Sequence, residues 1–307
     1  MKTFILKLAN LVFSGARVKL REDINQNRIL AAKLMTNQVS AMAAGSDIRD
    51  TEFKVFSQNG EDGILQYLIN NVAIKNDTFV EFGVSNYQEA NTRFLLMNNN
   101  WKGLVLDGSS ENINTIKNEE LYWKHDLTAQ QYFVTKDNIN TIISEAGISG
   151  DIGLLSVDID GNDYWVWQAI DVVQPRIVVC EYNSVFGCDY PISVPYDAKF
   201  QRVQAHHSCL YFGASLPALC HLAEQKGYDF VGSDSTGINA FFVRANLDHG
   251  MKKLLAKEGY VKSRHRESRD VEGNLTFVSG DARLGLIADM EVVNVSNNDV
   301  LKLGSIA

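Results

Sequence analysis

The chain of 307 residues is 45% hydrophobic and 21% charged, a composition typical of a globular protein with a sizeable core. Its formal net charge of −8 argues against nucleic acid or an anionic membrane as the main partner, because both favour clustered Lys and Arg. The four cysteines have no CxxC spacing, so we expect neither a disulfide framework nor a zinc site and predict a cytoplasmic protein.

Residues 1–50 are predicted to form a helical N-terminal extension. Their apolar stretch is interrupted by Lys7 and falls short of the ~18 residues of a membrane span, so neither a signal peptide nor a transmembrane segment is expected. Helical spacing places five apolar residues on one face: Phe4, Ile5, Leu8, Leu11 and Val12. This face predicts packing or homo-oligomer formation, with loose association with the inner face of the membrane as the alternative.

Residues 51–245 alternate short apolar runs with helical patterns, which predicts a mainly parallel α/β sheet. The predicted strands are 78–83, 102–108, 121–126, 152–159, 176–183, 229–234 and 239–245. The last two are separated by the short segment "STGI", which predicts a hairpin and one antiparallel strand. Residues 246–307 are predicted to form a separate C-terminal tail.

Acidic residues stand at the predicted carboxyl ends of five strands: Glu81, Asp107, Asp126, Asp158 and Glu181. In an open α/β sheet the ligand crevice lies at those ends. An acid after the second strand suits a pair of ribose hydroxyls, and Asp126 suits an adenine amino group. The G-x-G-x-x-G fingerprint of pyrophosphate-binding turns is absent. These acids therefore predict a ligand that contains adenosine and is bound without a pyrophosphate-binding turn.

Several blocks of the sequence resemble the FkbM-like S-adenosylmethionine-dependent methyltransferases. They are "SQNGEDGIL" (57–65), "FVEFGV" (79–84), "LVLDGSS" (104–110), "SVDIDGNDYWVW" (156–167), "VVCEYNS" (178–184) and "INAFFVR" (238–244). The resemblance implies a Rossmann-like class I methyltransferase fold. In that fold a mainly parallel seven-stranded sheet has its last strand antiparallel and carries helices on both faces.

The resemblance also implies a binding site for S-adenosylmethionine. Glu81, Gly83 and Ser85 would border its methionine part, and Asp126 would lie near its adenine. The turn formed by Asp107, Gly108 and Ser109 would hold the ribose. Gln58 and Glu61 would line the pocket, with a helix cap at Ser57 as the alternative interpretation of that segment. The pair Ser85-Asn86 replaces the usual second glycine of the family's first motif, which alters the turn.

The acids after the fourth predicted strand, Asp158, Asp160 and Asp163, admit several roles. An EF-hand loop is excluded because Gly161 would be at the fourth position of a loop that begins at Asp158, where the motif needs its glycine at the sixth. Asp158 or Asp160 could instead join Glu181 and Asn183 from the next strand to bind Mg²⁺ or Mn²⁺ through oxygen ligands, and Asp160 is the predicted ligand of the two. Asp163 is predicted to cap a helix.

The expected activity is transfer of a methyl group to a hydroxyl of a small polar acceptor, most plausibly a sugar or glycan, with the tail covering or flanking the acceptor site. Asp158 and Asp160 are expected to face the reacting methyl, and His206 or His207 is a candidate general base. One alternative is a metal-dependent glycosyltransferase that uses Asp158 and Asp160 as a D-x-D pair. The other is an inactive protein that only binds an adenosine-containing ligand.

Overall fold

The computed structural model describes the backbone of residues 2–306 and the side chains of residues 19–306 except Arg21. The predicted apolar face formed by Phe4, Ile5, Leu8, Leu11 and Val12 therefore lies outside the described side chains. None of the described helices combines the length and the apolar character needed to cross a bilayer.

Over the described residues the chain forms ten strands, eleven α-helices and three short 3-10 helices (Ile48–Thr51, Ser184–Phe186 and Leu303–Ser305). The strands are β1 (Thr78–Phe82), β2 (Lys102–Asp107), β3 (Leu127–Gln131), β4 (Gly150–Val157), β5 (Val173–Glu181), β6 (Ile192–Ser193), β7 (Tyr228–Ser233), β8 (Asn239–Arg244), β9 (Glu291–Asn294) and β10 (Asp299–Lys302). The helices are α1 (Lys2–Ser40), α2 (Glu61–Asn71), α3 (Arg93–Asn99), α4 (Ser110–Asn118), α5 (Glu120–Lys124), α6 (Ile139–Glu145), α7 (Asp163–Ala169), α8 (Arg202–Ala205), α9 (Leu216–Lys226), α10 (Ala256–Gly259) and α11 (Ala282–Leu286).

The main sheet has the strand order β3-β2-β1-β4-β5-β8-β7. Neighbouring strands from β3 to β5 are parallel, whereas β8 is antiparallel to both β5 and β7. This order confirms the predicted Rossmann-like class I methyltransferase fold, including the antiparallel last strand. It also brings the carboxyl ends of β2, β1, β4 and β5 side by side at one edge of the sheet.

The prediction of a strand over 121–126 is wrong. Residues 120–124 form the helical turn α5, in which Leu121 is buried and Trp123 is exposed. The third strand is the more polar segment "LTAQQ" that follows, where Leu127 and Ala129 alternate with solvent-facing residues. Short apolar runs do not distinguish a half-buried helical turn from a strand, and here the aromatic residues favoured the wrong assignment.

Side chains of the central strands are buried on both faces of the sheet, because successive residues of a strand point in opposite directions. Val80 and Phe82 pack with α6, α7 and α9 on one face. Phe79 packs with α2, α3 and α4 on the other. The described end of α1 joins this second face through Val39.

A smaller sheet of order β10-β9-β6 lies apart from the main one. Its strand β6 comes from the segment after β5, whereas β9 and β10 come from the C-terminal tail. Ile192 and Tyr211 from the body of the chain share a buried cluster with Ile287 and Val292 from the tail. The tail is therefore packed against the segment that follows β5.

Candidate active site

Two adjoining cavities open at the carboxyl edge of the sheet, and we call them together the central crevice. Gly83, Ser85 and Asp158 line both cavities. The cavity beside β2 and β3 has a volume of about 280 Å³ and is also lined by Asp107, Gly108, Tyr132, Phe133, Val134 and Asp160. The cavity beside β1 has a volume of about 440 Å³ and is also lined by Gln58, Glu81, Asn86, Asn91 and Asn239.

The turn after β1 brings the backbone of Gly83 against the backbone of Asp158 at the centre of the crevice. Gly83 has a φ of 79°, in the left-handed region that favours glycine. A Cβ at this position would overlap the carbonyl oxygen of Asp158. Gly83 therefore allows the loops after β1 and β4 to meet, which explains why a glycine stands two residues after Glu81 in the "FVEFGV" block.

The Asp107 carboxylate at the end of β2 organises the next part of the crevice. It accepts hydrogen bonds from the backbone amides of Ser85 (2.8 Å) and Ser109 (2.8 Å) and from the Asn112 side chain (2.9 Å). The Ser109 hydroxyl in turn caps α4 by accepting from the Asn112 amide. Asp107 is half-buried and lines the cavity, so the predicted D-G-S turn lies where a ribose could reach it.

Asp126 does not lie at this edge of the sheet. It immediately precedes β3, so it is at the amino end of that strand, where it lines a different cavity with Thr78, Lys102 and Thr128. Its predicted position near an adenine depended on the wrong strand assignment and is therefore wrong as well. Tyr132, Phe133 and Val134, which follow the true third strand, line the crevice instead.

The "SQNGEDG" segment forms a loop and the start of α2, with Gly60 at the N-cap position. The Ser57 hydroxyl accepts from the Asp62 backbone amide in the first turn (3.1 Å), so Ser57 also caps this helix, as its alternative interpretation predicts. Glu61 is buried and accepts from the Asn59 amide (2.7 Å) and from the Asn239 side chain (2.9 Å). It therefore reaches the crevice indirectly, through Asn239, whereas Gln58 lines the crevice itself.

Asp62, in the first turn of α2, holds this loop together. One of its carboxylate oxygens accepts from the backbone amides of Val55, Phe56 and Ser57 at 2.7–2.8 Å and from the Ser57 hydroxyl at 2.9 Å. Burial raises the pKa of Asp62 from its ordinary value of 3.8 to about 6, and the hydrogen bonds from residues 55–57 oppose this rise.

We predict a sharp contrast between two substitutions of Asp62. Asp62→Ala leaves four donors without a partner and should be less stable than Asp62→Asn by about 3 kcal/mol. The raised native pKa means that this carboxyl contributes stability below pH 3.8 that is lost as the pH rises to about 6. Urea unfolding across this range should show that fall in wild type and a flatter profile in Asp62→Asn. Equal stability of the two variants would contradict the role given to the carboxylate.

Glu81 at the end of β1 is buried and accepts from the backbone amides of Asn91 (2.9 Å) and Thr92 (3.0 Å). Burial raises the pKa of Glu81, and the hydrogen bond from the Thr92 hydroxyl opposes the rise. These bonds fix the 84–92 loop, which forms much of the wall of the cavity beside β1.

Three carboxyl groups converge beside Gly83: Asp158, Asp163 and Glu181. Each offers an oxygen, and the three oxygens lie within 4.8 Å of one another. Burial, followed by the neighbouring acids, raises the pKa of Asp158 and of Glu181 well above their ordinary values. The second oxygen of Glu181 is buried without a hydrogen-bond partner among the described residues. We call this group the carboxyl cluster.

Asp163 takes part in this cluster and also begins α7. Its carboxylate accepts from the backbone amides of Ile159 (2.8 Å) and Gly161 (2.9 Å), so it fixes the loop after β4. Burial raises the pKa of Asp163 from 3.8 to about 6. The sequence predicts only a capping role for Asp163 and does not place it among candidate ligands.

The cluster differs from the predicted metal-binding set of Asp160, Glu181 and Asn183. Asp160 turns to Arg202, whose guanidinium lies 2.5 Å from its carboxylate. The Asn183 amide donates to the carbonyls of Leu210 (2.8 Å) and Phe212 (3.0 Å), and its oxygen accepts from the Val185 amide. The structure therefore brings Glu181 and Asp158, the alternative ligand after the fourth strand, into the cluster, but neither Asp160 nor Asn183.

A third cavity of about 90 Å³ lies next to the carboxyl cluster, and we call it the side cavity. Glu181, Ser184 and Val185 border it after β5, and Arg202 and Phe212 border it from the segment before α9. Ser263, His265, Glu267 and Arg283 of the C-terminal tail form the opposite wall. Gln58 lines both this cavity and the central crevice.

The histidines proposed as bases, His206 and His207, pack against each other with ring centroids 4.2 Å apart. His206 Nδ1 lies 2.8 Å from the Ser208 hydroxyl, and burial, followed by the neighbouring His207, lowers the pKa of His206. Neither ring lines the central crevice or the side cavity, whereas His265 lines the side cavity.

No family model and no curated protein matches the sequence. Among solved structures, the N-terminal domain of EvdMO1 with SAH bound is similar at 11% identity and a TM-score of 0.40, over 73% of this chain and 94% of that one. A putative caffeoyl-CoA O-methyltransferase from Staphylococcus aureus is similar at 12% identity and a TM-score of 0.39, over 71% and 99%. An S-adenosylmethionine-dependent methyltransferase from Clostridium acetobutylicum is similar at 9% identity and a TM-score of 0.37, over 60% and 89%. These similarities are too distant to assign a function, so the class I methyltransferase fold rests on the strand order of this chain.

Proposed function

We propose that the chain is an S-adenosylmethionine-dependent O-methyltransferase that acts on a hydroxyl of a small polar acceptor, most plausibly a sugar or glycan. The observation that carries this proposal is the position of the carboxyl cluster. In a class I methyltransferase fold, it stands between a crevice suited to an adenosine-containing ligand and a second, polar cavity. The sugar or glycan acceptor and the FkbM-like subfamily rest on the sequence resemblance.

The methyl donor would lie along the central crevice. Asp107, with Gly108 and Ser109, would face the ribose, because an acid after the second strand suits paired hydroxyls. Phe133 and its neighbours would contact the adenine, since an exposed aromatic ring offers a stacking face. Gln58, Glu81, Gly83 and Ser85 would border the methionine part, with Glu61 supporting them through Asn239.

The reaction needs alignment more than activation, because the sulfonium already carries a transferable methyl group. The acceptor oxygen attacks the methyl carbon in line, the carbon–sulfur bond breaks, and S-adenosylhomocysteine leaves. The hydroxyl proton goes to a base. We assign that role to Asp158 with Glu181, because their raised pKa values keep a carboxylate basic enough to accept it. His206 and His207 line neither cavity and are not needed for this step.

As an alternative to this proton-accepting role, the carboxyl cluster fits a divalent ion, which would lower the pKa of Asp158 and Glu181 and so replace their role as the base. Burial and neighbouring acids raise the pKa of Asp158 and of Glu181, and Mg²⁺ or Mn²⁺ would offset that repulsion through its preferred oxygen ligands. Asp158, Asp163 and Glu181 would hold the ion in place of the predicted Asp160, Glu181 and Asn183. When bound, such an ion polarises a nearby hydroxyl and lowers its pKa.

Arg202 gives a direct test of the ion proposal. Arg202→Met removes a positive charge beside the cluster and releases Asp160, so Mn²⁺ should bind about tenfold more tightly than in wild type. Calorimetric titration with Mn²⁺ measures the change. Arg264→Met is the matched control, because Arg264 is an exposed arginine of the tail and its affinity change should be small. Unchanged or weaker Mn²⁺ binding in Arg202→Met would contradict the proposal.

The proposed activity is tested by titrating the protein with S-adenosylmethionine, S-adenosylhomocysteine and UDP-glucose. We expect saturable binding of the first two and none of the nucleotide sugar. Methyl transfer from labelled S-adenosylmethionine to a panel of glycosides and nucleotide sugars then identifies an acceptor. Binding of UDP-glucose without S-adenosylmethionine would favour a glycosyltransferase, and cofactor binding without transfer to any hydroxyl compound would favour an inactive binding protein.

A further inference from the structure

Asn239, at the start of β8, lines the cavity beside β1, and one end of its side-chain amide has no partner. The residue is 3% exposed, and its NH₂ group donates to the Glu61 carboxylate at 2.9 Å. The other end, Oδ1, is buried without a hydrogen-bond partner among the described residues. A buried acceptor that lacks a donor costs free energy, so this oxygen is a place where a bound ligand gains a contact.

The orientation of this amide is set by its neighbours. Glu61 is buried, and its carboxylate also accepts from the backbone amide of Asn59 at 2.7 Å. Because Glu61 accepts on both sides, the NH₂ group of Asn239 points to it and Oδ1 points away. The backbone of Asn239 is fixed as well, since its carbonyl accepts from the Asp234 amide (3.0 Å) and the residue pairs with Glu181 of β5. A donor for Oδ1 therefore has to come from the crevice.

The side chains that line the central crevice offer carboxyl groups but no cation. Five of the lining residues are acids: Glu81, Glu89, Asp107, Asp158 and Asp160. Among the described residues around the two cavities, none is Lys, Arg or His. A ligand carboxylate therefore meets no cationic side chain in the crevice and is repelled by the acids, whereas a ligand cation is attracted to them.

The amino-acid part of S-adenosylmethionine carries one group of each kind. Its ammonium has N–H donors only, and its carboxylate has acceptors only. The ribose hydroxyls would face Asp107 in the neighbouring cavity, so the ammonium is the donor that the cavity beside β1 would receive. An ammonium there supplies the hydrogen bond that Asn239 Oδ1 lacks and lies close to the buried carboxyl group of Glu81.

We propose that the crevice recognises the methyl donor by its ammonium group, which donates to Asn239 Oδ1, and gives the carboxylate of the donor no charged partner. This inference rests on the proposed methyltransferase activity and extends it to the choice of donor. Asn239 is a specificity-determining residue, and Glu61 is a positioning residue that acts through it. The decarboxylated form of S-adenosylmethionine, which keeps the ammonium, is accepted as well as S-adenosylmethionine itself.

The test compares S-adenosylhomocysteine with two analogues by calorimetry on the full chain. One analogue lacks the amino group, and the other lacks the carboxylate. Wild type should bind the analogue without the amino group about tenfold more weakly than S-adenosylhomocysteine. It should bind the analogue without the carboxylate as tightly as S-adenosylhomocysteine or more tightly.

Asn239→Leu removes the acceptor. Its affinity for S-adenosylhomocysteine should fall about tenfold, to that of the analogue without the amino group. Its affinity for methylthioadenosine, which has no amino-acid part, should equal that of wild type and shows that the variant folds. A residue with only a structural role would lower the affinity for all of these ligands alike.

Glu61→Gln tests the orientation of the amide without changing the shape of the side chain. The Asn59 amide can only donate, so the oxygen of the new glutamine faces it and the new NH₂ group faces Asn239. The Asn239 amide then turns over and presents its own NH₂ group to the crevice, so the preference for the amino group should again be lost. Asn99→Leu is the matched control, because it removes an amide that bonds Gln66 and lines neither cavity. Its affinities should equal those of wild type.

Three results would overturn the inference. The first is equal binding of S-adenosylhomocysteine and the analogue without the amino group by wild type. The second is a tenfold weaker binding of the analogue without the carboxylate. The third is a preference for the amino group that persists in Glu61→Gln and in Asn239→Leu. Failure of wild type to bind S-adenosylhomocysteine at all would instead count against the proposed function, so the two failures are distinguishable.

Discussion

Glu181→Gln is expected to slow methyl transfer by roughly 10²–10⁴-fold while leaving the affinity for S-adenosylhomocysteine unchanged. The substitution keeps the shape of the side chain but removes a carboxylate whose own pKa is raised by burial and by neighbouring acids, and which can take up the acceptor proton. Binding should survive because Glu181 lines the side cavity and not the central crevice. Transfer is measured with labelled S-adenosylmethionine and the acceptor found in the panel, and binding is measured by calorimetry.

Glu224→Gln is the matched control for this experiment. It makes the same chemical change at an exposed carboxylate on α9 whose ion pair is with Lys253, at 3.2 Å. Its transfer rate should equal that of wild type. A wild-type rate in Glu181→Gln, or a loss of S-adenosylhomocysteine binding that explains the slower transfer, would remove the carboxyl cluster from the reaction.

Gly83→Ala is expected to destabilise the protein by about 2–4 kcal/mol and to abolish S-adenosylhomocysteine binding. The new Cβ would overlap the Asp158 carbonyl oxygen, and the backbone φ of 79° disfavours any residue with a Cβ. The loops after β1 and β4 would have to separate, and both of them line the crevice. Urea unfolding and calorimetry measure the two effects.

Gly147→Ala separates the two causes of the lost stability, which are the overlap with a neighbouring atom and the strain of a positive φ. Gly147 has a similar φ of 74°, but a Cβ there meets no atom within 4 Å. It should cost about 1–2 kcal/mol from backbone strain alone and leave S-adenosylhomocysteine binding intact. Equal losses of stability and of S-adenosylhomocysteine binding in Gly83→Ala and Gly147→Ala would mean that the close contact between Gly83 and Asp158 is not needed for the crevice.

The centre of the sheet is predictable from the sequence because the physical signal there is strong. The strands β1, β4 and β5 are continuous apolar runs, as expected where both faces of a parallel sheet are covered by helices. Their carboxyl ends necessarily meet at one edge, so the strand pattern is enough to place Glu81, Asp158 and Glu181 together. The edge strand β3 is more polar, so its sequence indicates a strand less clearly. Because residues 121–126 were predicted as this strand, Asp126 was predicted at its carboxyl end, whereas it lies at the amino end of β3.

Which residues contact one another at the site was harder to predict, because these contacts join segments that are distant in the sequence. Arg202 lies 42 residues beyond Asp160, and nothing near either residue indicates their ion pair. Asp163 looks like an ordinary helix-starting acid, and only the bend of the 158–162 loop turns its carboxylate toward Glu181. His265 and Glu267 lie in a charged run whose side chains are exposed, and the buried Arg283 that fixes the backbone of this run beside the side cavity follows much later.

A crystal structure with S-adenosylhomocysteine bound tests the central claim most directly. We predict that the ligand spans the central crevice, with the ribose at Asp107, the adenine against Phe133 and the sulfur closest to Asp158, and that the side cavity remains open beyond Glu181. Electron density for the ligand in the side cavity, or at the amino edge of the sheet near Asp126, would contradict the proposed site.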